Sequence, residues 1–191
     1  KIIYLHVPSA FIAVNAWFMM LVASLIWLIR RHHVSALAAK AAAPVGIAMT
    51  LIALFTGAVW GQPMWGTWWV WDPRLTSFII LFFFYVAYIS LWHSLENADY
   101  AADLTSISCL VGSVFAVLSR YAVNFWHQGL HQDATLSLDK DENISDVFSQ
   151  PLYLTMLGFT LLFFVLVLIG IRSEIRFRKA FAIIRRGMRN A

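Results

Sequence analysis

The residues of this chain best suited to chemistry are its six histidines and a cluster within its nine tryptophans. Imidazole is the commonest protein metal ligand and a common axial ligand to iron. His6 opens an apolar stretch, in Tyr4-Leu5-His6-Val7-Pro8. His127 and His131 lie in Phe125-Trp126-His127-Gln128-Gly129-Leu130-His131-Gln132. One histidine at such a boundary signals little more than a polar residue. The tryptophans carry more information. Five of the nine fall within twelve residues of the segment Trp60-Gly61-Gln62-Pro63-Met64-Trp65-Gly66-Thr67-Trp68-Trp69-Val70-Trp71-Asp72-Pro73-Arg74-Leu75-Thr76-Ser77. The preference of Trp for membrane interfaces explains one or two per helix end, not five in one connection. A covered aromatic buries roughly 150–250 Å², so five form a patch of the size that marks binding surfaces. The spacing of Trp65, Trp68 and Trp69 predicts one face of a short interfacial helix. Flat indoles suit a planar cofactor, and they also suit a protein or lipid contact; the residues alone leave both open. Arg74 is suited to pairing with a carboxylate of such a ligand. Asp72 is suited to fixing the loop, by accepting Trp or backbone N–H bonds or by pairing with Arg74.

The elements that must position these groups are membrane spans. Of 191 residues, 61% are hydrophobic and 13% charged, against about 25% charged in a soluble domain. So much apolar surface must face lipid. About 20 apolar residues cross the hydrocarbon core as a helix, and the sequence predicts five such spans, at about 7–29, 42–60, 75–92, 104–121 and 152–171. The expected fold is an all-α integral membrane protein forming a single domain over 1–191. It has a Trp-rich loop over 60–77, a second loop over 124–150 and a basic tail over 172–191. The single cysteine, Cys109, excludes an internal disulfide and a C-x-x-C-H haem attachment site; it reads as a small packing residue.

Charge placement orients the spans. Arg30, Arg31 and Lys40 in the first loop, with Arg172, Arg176, Arg178, Lys179, Arg185, Arg186 and Arg189 in the tail, make ten of the fourteen Lys and Arg residues. The positive-inside tendency makes their side cytoplasmic. His32, His33 and His93 then fall inside. His6, His127, His131 and the tryptophan loop fall outside, where two imidazoles from separate segments can approach one iron from opposite sides. Asn15 is expected to bridge helices by hydrogen bonding, and the tail to lie along anionic headgroups. The acidic stretch within 133–150 reads as a solvated loop or a docking segment.

At Trp65-Gly66-Thr67-Trp68-Trp69-Val70-Trp71-Asp72 the chain resembles the tryptophan-rich "WWD" motif of haem-handling proteins in cytochrome c biogenesis. Pro73-Arg74-Leu75-Thr76-Ser77, Ile2-Ile3-Tyr4-Leu5-His6-Val7-Pro8 and Leu130-His131-Gln132 are similar to the CcmC branch, the haem exporter protein C family. The resemblance covers nearly the whole chain. It implies that Trp65, Gly66, Trp68, Trp69, Trp71, Asp72 and Arg74 cradle non-covalent, b-type haem outside the bacterial inner membrane. It implies one axial histidine on each flank, His6 and His131, with His127 the alternative to His131. It also implies a sixth span upstream of the His6 segment. The implied partners are a periplasmic haem chaperone, ABC-type transporter subunits and a small single-span subunit.

Four readings of function compete. A haem-binding transfer protein, not an enzyme, is favoured. A haem–apocytochrome ligase of the same superfamily is a longer protein with more spans. A channel needs polar residues lining its spans, and these offer little beyond Asn15 and a few hydroxyls. A membrane docking subunit without haem is the remaining alternative.

Overall fold

A bilayer core offers backbone N–H and C=O groups no water, so segments this apolar must pair them internally as helices. The computed structural model describes residues 2–125 and 146–190. Among these the chain forms five helices: α1 (Ile3–Arg30), α2 (His33–Trp65), α3 (Pro73–Ser94), α4 (Ala98–Phe125) and α5 (Asp146–Asn190). All five are long and apolar enough to cross a membrane, and no strand occurs among the described residues. The protein is an all-α integral membrane protein.

The helices overrun the apolar spans. α2 begins at His33, because Ala36 to Ala43 is rich in the strongest helix formers. It ends only where Gly66 takes a left-handed φ of 74°. Asp72 and Pro73 start α3, with the Asp72 carboxylate accepting the Leu75 N–H at 2.7 Å and Pro73 in the first turn. α5 runs without a break through the tail residues. The tail is therefore a helical continuation of the fifth span.

Chain reversals at 31–32 and 95–97 share one end with the tail, the basic end. The start of α1, the connection 66–72 and the start of α5 share the other, the tryptophan end. α1 packs on α2, α4 and α5, and α3 packs on α4 and α2.

Aromatic residues seated against small ones hold the bundle. Trp17 and Tyr85 are fully buried and meet edge to face, with ring centroids 4.6 Å apart. Trp17 Nε1 donates to Ser113 Oγ at 3.1 Å, and Tyr85 Oη donates to the Ala13 carbonyl at 2.7 Å. At Gly46 a Cβ would stand 2.2 Å from Tyr85 Cε1, so only a missing side chain admits the ring. Cys109 is fully buried in the same core. At the basic end Trp27 Nε1 donates to Asp103 Oδ1 at 2.9 Å, and Arg31 pairs with the same carboxylate. Lys40 bonds Glu174 at 2.7 Å and lies over the Trp92 ring, tying α2 to α5 and α3.

Asn15 does not bridge helices among the described residues. It is exposed, and its amide donates to the Phe11 carbonyl one turn back on its own helix at 2.8 Å.

Gly46→Ala should destabilise the bundle by about 1–3 kcal/mol, through overpacking against a ring that has no room to move. Gly158→Ala, where a Cβ meets nothing within 4 Å, should be neutral or better. Denaturant unfolding in detergent micelles checks this; equal effects at the two positions would contradict the seating of Tyr85.

Candidate ligand-binding site at the tryptophan end

His6 closes the first turn of α1 and is half-buried against α2. Its Nδ1 is 3.1 Å from both the Ala53 carbonyl and Thr56 Oγ1. The Thr56 hydroxyl donates to the Ile52 carbonyl at 2.6 Å, so toward His6 it accepts. A carbonyl also only accepts. Nδ1 must therefore carry the proton, which leaves the lone pair on Nε2. A ligating histidine is usually held in this way, through a hydrogen bond from its other nitrogen. Gly57 keeps the space open, since a Cβ there would stand 3.1 Å from His6 Cε1. Ala53, Thr56 and Gly57 had no signal in the sequence, because their link to His6 crosses about fifty residues of chain.

The expected single helical face of Trp65, Trp68 and Trp69 does not form. Trp65 is the last residue of α2, and the left-handed turn at Gly66 breaks the helix before Trp68. Trp65 instead folds back over Gly61 and meets Trp60 edge to face, with centroids 5.4 Å apart. Trp69 and Trp71 form a second such pair at 5.6 Å. Trp68 and Trp71 are 61% and 76% exposed. The connection is braced from within by Thr67 Oγ1, which donates to the Trp69 carbonyl at 3.2 Å.

Asp72 is buried and caps α3 through a backbone N–H, one of the roles expected of it. Gly66 makes the turn that turns the connection out of the helix. Arg74 is the second residue of α3, half-buried. Trp69 Nε1 is buried without a hydrogen-bond partner among the described residues, a donor for which a ligand oxygen would be a fitting acceptor. His127 and His131 lie outside the described residues. His32 caps α2 and His33 approaches Asp99 at the basic end. His93 is exposed at that end and bonds the Ile89 carbonyl.

The fold and site define a class: a polytopic helical membrane protein with an aromatic platform and a buttressed imidazole at one end. The family described as heme exporter protein C matches residues 1–185. The heme exporter protein C of Rhodobacter capsulatus is 70% identical over 179 residues, covering 94% of this chain and 74% of that protein. The heme exporter protein C of Paracoccus denitrificans is 69% identical over 186 residues, covering 97% and 77%. That of Escherichia coli K12 is 41% identical over 175 residues, covering 92% and 70%. The chain belongs to the heme exporter protein C family.

The histidine geometry is testable without any ligand. In ¹⁵N spectra of histidine-labelled protein, His6 should show the Nδ1–H tautomer. Gly57→Val, by crowding the ring away from Ala53, should shift it toward a tautomer mixture. An Nε2–H tautomer in the parent would contradict the assignment.

Proposed function

We propose that this protein holds haem at its tryptophan end, on the periplasmic face of a bacterial inner membrane, and passes it to a periplasmic haem chaperone for c-type cytochrome biogenesis. The observation that carries the reading is His6. Its Nδ1 is committed to Ala53 and Thr56, and its Nε2 lone pair suits iron, at the bundle end that displays Trp68 and Trp71. Membership in a family whose members are named for heme export supports haem as the cargo.

In this reading Trp65, Trp68, Trp69 and Trp71 bear the macrocycle, while Gly66 and Asp72 set the shape of the connection. Arg74 pairs with a propionate. His6 supplies one axial ligand and His131 the other, with His127 the alternative. The iron stays in non-covalent, b-type haem, and the chain acts as a transfer protein, not an enzyme. ABC-type transporter subunits and a small single-span subunit complete the complex. The ten basic residues of the first loop and the tail support a cytoplasmic basic end.

Axial variants test the iron ligands. His6→Ala should convert a six-coordinate spectrum to a five-coordinate one, and added imidazole should restore it. His131→Ala should do the same and His127→Ala should not. Replacing Trp65, Trp68 and Trp71 together by Ala should abolish haem retention in protein that still inserts, while Trp68→Ala alone weakens it partly. Parent haem content in the triple variant would leave the platform as a protein-docking surface.

A further inference from the structure

Arg120, in the last turns of α4, is a second cation beside the proposed site. α3 and α4 are antiparallel neighbours joined by residues 95–97. Arg74 stands about 30 Å of helix before that junction and Arg120 about 33 Å beyond it, at 1.5 Å per residue. The two residues therefore sit at the same level of the bundle. The Phe84–Phe115 ring stack, with centroids 5.4 Å apart, locks the two helices together midway. Arg74 is half-buried and Arg120 exposed. Arg120 rests against its neighbour Tyr121, with Cζ 5.4 Å from the ring centroid. Among the described residues neither arginine has a carboxylate ion-pair partner. The Asp72 carboxylate, two residues before Arg74, is engaged at the α3 cap.

Two like charges held together, one of them half-buried, oppose the fold unless an anion lies between them. Guanidinium is the group best matched to carboxylate, which it binds through paired N–H donors. Exposed Trp68 and Trp71 lie just before Arg74 in the chain, so an anion at the arginines would be joined to a flat apolar body on the indoles.

We propose that Arg74 and Arg120 form a two-arginine clamp for a dicarboxylate, taking both propionates of the haem and so setting the in-plane orientation of the ring. The clamp rests on the haem reading above. Arg120 is a positioning and specificity residue: it selects ligands with free carboxylates and leaves the iron to the histidines. A lipid phosphate has the same anionic chemistry, and the test separates the two sources.

The purified full chain is titrated with haem and with haem dimethyl ester, whose carboxylates are capped, and the Soret band is followed. The wild type should prefer haem by about tenfold or more, the effect of losing charge-assisted bonds. Arg120→Gln should reduce that preference severalfold, by weakening haem and leaving ester affinity and the six-coordinate spectrum unchanged. Arg120→Lys should recover part of it. Equal affinity of the wild type for haem and ester overturns the clamp and leaves the haem reading standing; this is also the result a lipid phosphate would give. Equal loss of both ligands in Arg120→Gln overturns it too, by reducing Arg120 to a structural role. A wild type that takes up neither ligand overturns the haem reading and the clamp together.

Discussion

The bilayer core contains no water to receive backbone hydrogen bonds, and the rest of the structure follows from that. Every segment in the hydrocarbon must be helical, so irregular chain is confined to the two ends of the bundle. A site that needs exposed, turning backbone has only those places to form. The seven-residue connection from Gly66 to Asp72 is such a place, closed on one side by a left-handed glycine and on the other by an aspartate cap. Its tryptophans are displayed because the helix stops at Gly66; three residues further along an unbroken helix, Trp68 would have lain along the span.

The same constraint disciplines polar side chains inside the bundle. Ser9, Thr50, Thr105 and Ser113 each return a hydroxyl hydrogen bond to a carbonyl four residues back, which satisfies them within their own helices. Thr56 does likewise toward Ile52, and with its donor so engaged its oxygen accepts from His6. A residue that elsewhere in the bundle is merely tolerated thus becomes the support of a candidate iron ligand. Gly57 adds the clearance. The seat for His6 is built from the small residues that membrane helices use for close approach.

The five helices were legible because hydropathy measures the property that fixes them. Their ends were less so, since ends depend on caps and turns: the Ala-rich start of α2 and the φ of Gly66 moved both its limits beyond the apolar span. Asp72 was legible as a loop-fixing residue because aspartate before proline is a helix-start pattern. The helical face drawn through Trp65, Trp68 and Trp69 failed, because spacing does not report the left-handed turn between them. Asn15 was read as a helix bridge, but its amide finds a partner on its own helix first. The supports of His6 and the nearness of Arg120 to Arg74 were not legible at all. Both arise from helix pairing, which one sequence does not encode in any local pattern.

The central claim is that the imidazole of His6 and the tryptophan connection form a haem site. The most direct measurement is the absorption and magnetic circular dichroism spectrum of the wild-type protein, purified from cells that make haem. The account predicts a Soret band with the low-spin signature of iron between two histidines, and no covalent attachment after acid–acetone extraction. Protein that is folded and inserted but shows no Soret band, even after haem is added, would contradict it.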